Sequence, residues 1–487
     1  MPAAMLSLPQ RHSARIAGRR GLVLVLMSLI VPGSAQVAAG NKKVGRVALS
    51  VWMTLVAVLI VVGIATLVAR SAVIGVLASP VTLTILSWLV PVLGVCWLLL
   101  LVNAWWLAGP RNMAGAGRAL TGVLAFVLAV SLGWASWGAH TVFGASAQFV
   151  SAVFAGGGTS MPDANGRYNV LLIGGDAGAD RTGIRPDSMT VASVDAATGR
   201  TVLIGLPRNM QHVPFPADSP LHKLYPNGYW CSDQSCLLNA VYTLAENHKD
   251  LFPGVQYPGV VATEGVIEQI TGLTINYWVM IDLAGFQNLI DAVGGIRLNI
   301  PQAVPIGSLD TKYGITGWIK PGKNVHLNGY NALWFARSRE YASDYVRMAR
   351  QKCVLNAMLK QLNPTTVVTK FQAIASASGA TVATDLSPSQ LGTMIDLASK
   401  ARSLPMAALN LTPPLVTPAN PDFSKVKTLV ANAIATSQAA DKHAAGGQAS
   451  KPAPASATAS SSDPQAPASA SSDELDTGNL DTVCSVS

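Results

Sequence analysis

Three apolar runs constrain this chain more than any other feature: residues 47–69, 81–108 and about 120–140. Each approaches or exceeds the roughly 20 residues needed to cross a bilayer core, and a spanning segment must satisfy its backbone internally, so each is expected to be helical. No Asp, Glu or Lys interrupts them. That argues for an anchor and against an ion or proton path. A shorter run, 21–37, contains Pro32, Gly33 and Ser34, and reads as a re-entrant or interfacial segment, a signal peptide or a fourth span. Arg11, Arg15, Arg19 and Arg20 precede it, and Lys42, Lys43 and Arg46 follow it. The positive-inside rule places both groups in the cytoplasm, so the run does not cross. Three spans then carry everything after residue 140 outside the cell. Arg111 and Arg118 fall inside; Arg70 falls outside, against the trend. Trp105, Trp106, Trp134 and Trp137 sit near segment ends, where interfacial aromatics collect.

Beyond the anchor the composition changes. The stretch 141–165 reads as a linker, 166–440 as a globular domain, 441–475 as a disordered Ala/Ser/Pro-rich tract, and 476–487 as a terminal segment with Cys484; residues 1–20 form a basic tail. The net charge of +9 over 487 residues could suggest nucleic acid. However, the arginines stand in motif-like positions rather than in a basic tail, and no helix-turn-helix is recognisable.

The globular part opens with three apolar runs of strand length, YNVLLIG (168–174), SMTVASVDA (188–196) and TVLIGLPR (201–208). Thr198-Gly199-Arg200 turns the last two into a hairpin. A glycine-rich loop, 174–187, ends in Arg185-Pro186-Asp187. On extended backbone residues i and i+2 share a face, so Arg185 and Asp187 could act on one ligand, with Asp176 and Arg208 at strand ends nearby. INYWVMID (275–282) is apolar on both faces, as a central strand is. Helices are expected over 237–248, 261–270, 284–295, 388–401 and 424–436, and an edge strand over 407–415. Alternating strands and helices predict a layered α/β or α+β domain.

A second informative stretch runs from His326 to Leu362. Ser343 caps a long helix on which Arg347, Arg350 and Gln351 fall at i, i+3 and i+4, making one polar face. Arg337 and Arg339 precede it, giving four arginines in fourteen residues. Guanidinium groups bind phosphate oxygens bidentately and keep their charge when desolvated. Carboxylates beside phosphates imply a divalent cation between them, and Mg²⁺ prefers a few carboxylates plus substrate oxygens, which assigns Asp176 and Asp187 to a metal. Internal salt bridges to Glu340 and Asp344 are the competing account of the same arginines. No P-loop, G-x-S-x-G elbow or H-E-x-x-H helix is present, and the seven histidines are scattered. Among the five cysteines, Cys96 lies in an apolar run. Cys231 and Cys236 suit a local disulfide outside the cell better than a zinc site. Cys353 and Cys484 are left, and their pairing is open.

These pieces resemble the LytR-CpsA-Psr (LCP) proteins, membrane-anchored enzymes that attach glycopolymers to bacterial peptidoglycan. The matching motifs are NVLLIGGDAG, R-P-D-S-M, L-P-R, INYWVMIDLAGFQNLIDAVGGIRLNIP, H-L-N-G-Y-N-A-L-W-F-A-R-S-R and D-Y-V-R-M-A-R-Q, in the family's order over residues 168–362. The multi-span anchor, the C-x4-C loop and the terminal cysteine look like the actinobacterial version. The resemblance implies a central mixed sheet flanked by helices, with an apolar pocket for a polyprenyl tail. Arg185, Arg208, Lys223, Arg337, Arg339, Arg347 and Arg350 would grip a pyrophosphate with Gln351 alongside. Asp176 and Asp187 would hold Mg²⁺, and Asp187, Arg185, Arg208 and Arg337 would act in catalysis. The implied reaction is a phosphotransfer from a polyprenyl-pyrophosphate-linked glycan to a peptidoglycan hydroxyl. Non-catalytic binding of lipid or wall polymer, and transcriptional attenuation, are the alternatives. One departure stands out: the family's P-R-D is Pro207-Arg208-Asn209 here, and an amide cannot balance the charge of Arg208.

Overall fold

A computed structural model describes residues 9–154, 161–176, 185–309, 312–361, 382–445, 477–479 and 484. They divide into two compact units, Met1–Ala152 and Val153–Ser487.

The first unit is all helical. Three helices are long and apolar enough to cross a membrane: Lys42–Val68, Pro80–Asn112 and Gly115–Gln148. The last continues as helix to Val153, so the expected linker from 141 begins as helix. The second starts at Pro80, whose missing N–H costs nothing at a helix start, behind Ser79, whose hydroxyl accepts from Thr82 N at 3.2 Å. The 21–37 run is broken rather than continuous. A helix, Pro9–Ile30, ends before Pro32, and a short one, Ser34–Ala38, follows Gly33, which has φ of 95°. Both pieces dock on the second span. Trp97 Nε1 donates to Ser28 O at 2.9 Å, and Gln36 Nε2 donates to Leu100 O at 2.8 Å.

The second unit is built on a mixed sheet, which has seven strands among the described residues. In chain order the first strands are β1 (Arg167–Asp176), β2 (Arg185–Asp195), β3 (Thr201–Leu206) and β4 (Tyr277–Asp282). β9 (Val382–Thr384), β10 (Ala407–Asn410) and β11 (Thr477–Asn479) complete it, in the spatial order β11-β10-β3-β2-β1-β4-β9. β4 runs parallel to β1 and lies inside the sheet, as its two apolar faces require. The strand expected at an edge, β10, is covered by β11, which pairs with it antiparallel.

The period-two alternation of β1 to β3 divides the sheet into two apolar faces. Leu171, Ile173, Met189, Val191, Val202 and Ile204 enter the main core. There they meet the helices Ala240–Asn247, Pro258–Thr271 and Phe423–Ala445, to which Val241, Val266 and Val430 belong. Val170, Leu172, Ala192, Val194 and Leu203 point the other way, into a cavity of about 260 Å³. Its far wall comes from Leu355 and Leu359 of α11 (Asp344–Gln361) and Met394 and Leu397 of the helix Leu391–Ala401. A smaller core joins β5 (Ile296–Ile300), β8 (Gly322–Leu327) and the hairpin β6–β7 (Val304–Gly307, Ile315–Ile319) to the helices Leu283–Ala292 and Gly329–Arg337. The sulfurs of Cys231 and Cys236 are within bonding distance, as are those of Cys353 on α11 and Cys484. The Ala/Ser/Pro-rich tract is helical up to Ala445 and beyond that lies outside the described residues.

The main core carries one electrostatic load. Burial, reinforced by Asp385 and Glu268, pushes Glu264 up to about 8. Burial raises Asp385 to about 6, against the hydrogen bond it accepts from Trp278 N at 2.8 Å. The unfolded chain releases both protons first. These groups therefore contribute stability in full below the ordinary carboxylate range, and it is lost as pH rises through 6 and 8. Stability, and with it the melting temperature, is expected to fall on the order of 1 kcal/mol per pH unit for each group within its own window, from the ordinary carboxylate range up to about 6 for Asp385 and up to about 8 for Glu264. Glu264→Gln should flatten the upper part of the profile; an unchanged profile would contradict the assignment.

Candidate functional site

The strand ends and one helix build the site. β1 and β2 lose their regular register between Gly174 and Gly175: Gly174 pairs with Ser188 and Gly175 with Pro186, leaving Asp187 as the extra residue of a bulge. Bulges re-aim side chains at the ends of ladders. This one breaks the strict alternation that would put Arg185 and Asp187 on one face. Asp187 turns to Arg208, in the tight turn after β3, and its Oδ1 accepts from Nη1 at 2.6 Å. Arg185 stays exposed at the start of β2, opposite Asp176 in the ladder.

The N-terminal turns of α11 close over these strand ends. Arg347 is almost fully buried, with 3% of its side chain exposed. Its Nη2 donates to Asp344 Oδ2 at 3.0 Å and to the backbone oxygen of Asp187 at 3.1 Å. Asp344 also faces Arg208 Nε at 3.7 Å, so one carboxylate bridges two arginines. The sequence offers Asp344 only as a salt-bridge partner; its place between Arg208 and Arg347 needs the strands and the helix together. Gln351 accepts from Ser188 Oγ at 3.0 Å and donates to Ala336 O at 3.3 Å, tying α11 to β2 and to the preceding helix. Arg350 donates to Ser338 O at 3.1 Å with its guanidinium over Phe335, and Arg337 lies over the Trp334 ring. Burial lowers the pKa of Arg347 and Arg350. Arg347 also feels repulsion from Arg208 and Arg339, which places Arg339 in the same electrostatic neighbourhood.

Not every candidate arrives. Lys223 ends a short 3-10 turn, Pro220–Lys223, where it is exposed and makes no hydrogen bond or ion pair to the cluster among the described residues. Sequence reasoning also missed Lys352. It is buried, donates to Leu409 O at 2.8 Å and to Asn410 Oδ1, and packs over β3 where Gly205 has no side chain. An added Cβ at Gly205 would stand 2.9 Å from its Nζ. A lysine directly after Gln351 was its only signal. Asn209 is exposed, and the carboxylates that face Arg208 are Asp187 of β2 and Asp344 of α11.

For a divalent cation, the described residues contain no cluster of three or more His, Cys, Asp or Glu. What they offer is Asp187, with one oxygen held by Arg208, and Asp344, with one oxygen facing Arg347 and Arg208, beside the end of β1 where Asp176 stands. That donor set is too small for a protein-only cage but fits Mg²⁺, which keeps waters and takes its remaining ligands from phosphate.

α11 links this charged site to the apolar cavity. Arg347 and Gln351 belong to the site, and Leu355 and Leu359, one and two turns further, line the cavity. At 1.5 Å per residue the run from Arg347 to Leu359 covers about 18 Å. Arg208 pairs with Asp187 and shares Asp344 with Arg347, whereas Arg339 and Arg350 have no ion pair among the described residues. The balance is cationic.

Fold and site together define a mixed α/β domain in which an arginine-rich site adjoins an apolar cavity. The LytR_cpsA_psr family model matches residues 146–421, more than half of the sequence, and the chain belongs to that family. Relatives include the polyisoprenyl-teichoic acid–peptidoglycan teichoic acid transferase TagU of Oceanobacillus iheyensis, 26% identical over 238 residues. That match covers 48% of this chain and 64% of that protein. Biofilm regulatory protein A of Streptococcus mutans is 27% identical over 228 residues, covering 45% of this chain and 50% of that protein. The chain thus spans less than two thirds of the length of either relative. The crystal structure of Bacillus subtilis TagV aligns with 55% of this chain and 96% of its own, at 22% identity and a TM-score of 0.40.

Proposed function

We propose that this chain transfers a glycopolymer phosphate from a polyprenyl-pyrophosphate carrier to a peptidoglycan hydroxyl, on the outer side of the membrane. One observation carries the reading: α11 presents Arg347 and Gln351 to the charged site and Leu355 and Leu359 to the apolar cavity. A ligand with a diphosphate head and a hydrocarbon tail needs both surfaces in that order. Teichoic acid transfer to peptidoglycan is what the name of the TagU relative describes. The two cysteine pairs, read as disulfides, agree with an oxidising compartment.

In the reaction the acceptor hydroxyl oxygen bonds to the phosphorus that carries the glycan. The bond from that phosphorus to the bridging oxygen breaks, and polyprenyl monophosphate leaves. Arg208 and Arg347 offset the charge that gathers on the phosphate oxygens, as fixed cations do in a water-poor site. Arg339, Arg350 and Arg337 hold the outer phosphate, with Arg185 at the mouth. Asp187, placed by the bulge, takes the hydroxyl proton or orients the groups around it. Asp176 and Asp187 would hold Mg²⁺, which when bound neutralises phosphate charge.

The test is transfer itself: the full chain in detergent, a polyprenyl-pyrophosphate-linked glycan, isolated peptidoglycan and Mg²⁺. Covalent glycan on the wall and equimolar polyprenyl monophosphate are expected. Removing divalent cations by chelation should lower the rate about a hundredfold or more, with recovery on adding Mg²⁺. Lipid binding without turnover would instead support a scaffold, and an undiminished rate after chelation would remove the metal from the mechanism.

A further inference from the structure

Outside the arginine cluster the most unusual surface feature is a pair of parallel, exposed aromatic rings. Trp318, on β7, and Tyr341, between the helix Gly329–Arg337 and α11, have ring centroids 6.1 Å apart and planes within 17° of each other. Their exposures are 49% and 75%. On β7 the neighbour Ile319 enters the small core, so strand alternation turns Trp318 outward. Tyr341 has φ of 57°, a left-handed conformation that bulky residues rarely adopt and that persists where the surroundings enforce it. The enforcement is visible next door. Glu340 Oε1 accepts from Ser308 Oγ at 2.6 Å and from Leu309 N at 3.1 Å, clamping this loop to the β6–β7 hairpin. On the other side of Glu340 stands Arg339, within the electrostatic reach of Arg347. The six-residue stretch from Ser338 to Ser343 thus joins the arginine site to the aromatic pair through one clamped turn.

We propose that Trp318 and Tyr341 form a platform for a pyranose ring, the sugar that lies beside the phosphate held by the arginines. This rests on the reading of the site as one for a glycan-bearing diphosphate. The chemistry suits a sugar ring. A pyranose presents axial C–H groups on one face, which pack on the electron-rich face of an aromatic ring, and keeps its hydroxyls at the rim in water. Two aromatic side chains held in nearly parallel planes lose little entropy on binding such a ligand, and the clamped turn at Glu340 sets where the Tyr341 backbone stands. The sugar could belong to the lipid-linked donor or to the wall acceptor; both offer the same ring chemistry.

The experiment uses the full chain in lipid nanodiscs, as wild type and as Trp318→Ala, Tyr341→Ala, the double variant and Trp318→Phe. Three probes are titrated separately: inorganic pyrophosphate, a polyprenyl-pyrophosphate-linked disaccharide and soluble peptidoglycan glycan strands. Pyrophosphate affinity should be unchanged in every variant. Affinity for one or both saccharide probes should fall about tenfold or more in the double variant and be largely kept by Trp318→Phe. Loss with the lipid-linked disaccharide assigns the platform to the donor, and loss with glycan strands assigns it to the acceptor. Saccharide affinity that survives the double substitution, or is absent from the wild type, overturns the proposal. So does quenching of the Trp318 fluorescence (wild type minus Trp318→Phe) by brominated lipid, which would make the pair a membrane contact. If the wild type fails to bind pyrophosphate while its saccharide binding still depends on the two rings, the diphosphate reading fails and the platform stands.

Discussion

Replacing Arg347 by alanine is expected to lower glycopolymer transfer about a thousandfold, the scale seen when a preorganised charge donor is removed from a buried site. Arg347 differs from the other arginines in what surrounds it. Only 3% of its side chain is exposed, and Nη2 is committed to Asp344 and to the backbone oxygen of Asp187. Its Nε is buried with no hydrogen-bond partner among the described residues. A buried donor without a partner is rare, and Arg347 is one of the residues that line the small pocket between β2 and α11. Arg347→Lys keeps the charge but loses the planar fork, so it should recover only part of the rate. Alanine also leaves Asp344 with Arg208 as its remaining cation, so each variant needs a near-UV circular dichroism spectrum matching wild type. Transfer within tenfold of wild type by a folded Arg347→Ala protein would refute its role.

Arg167→Ala should act on stability instead, costing about 3 kcal/mol, as breaking a buried, hydrogen-bonded charge does. Arg167 opens β1 and is fully buried. Its Nε donates to Ser193 Oγ at 2.8 Å, and Nη2 donates to Ser193 O at 2.7 Å and to Arg200 O at 3.0 Å. Asp195 lies 3.8 Å from Nη1. One guanidinium thus ties β1 to the β2–β3 hairpin at the end of the strands away from Asp176 and Asp187. Burial lowers its pKa, opposed by Asp195, Asp163 and Asp441. Alanine would take the guanidinium donors from Ser193 Oγ, Ser193 O and Arg200 O, of which Arg200 O keeps Asp195 N at 3.0 Å, and would leave a void. Thermal unfolding of the full chain in detergent should show the loss, while pyrophosphate affinity below the transition stays at the wild-type value. Unchanged stability would mean that the carbonyls find other donors.

The two substitutions separate what the chain encodes locally from what it does not. Three membrane-length helices, the strands β1 to β4, the long helix after Ser343 and the arginines on it follow from short-range pattern. Apolar run length, period-two alternation and a capping residue act within a few positions, so they can be read without knowing the fold. The resemblance of ordered motifs extended that reading to a mixed sheet and to a set of site residues. Tertiary structure decided which of those residues meet. Asp187 reaches Arg208 because a bulge re-aims it, and Asp344 bridges Arg208 and Arg347 because α11 closes over the ends of β2 and β3. Lys223 remains outside the cluster, and Lys352 is buried because Gly205 leaves it room. The apolar cavity, the covering of β10 by β11 and the Trp318–Tyr341 pair are likewise set by strand order and by helix placement. Contacts between groups more than a hundred residues apart depend on how elements pack. No local pattern records that packing, because side-chain period specifies a face and not the partner it will meet.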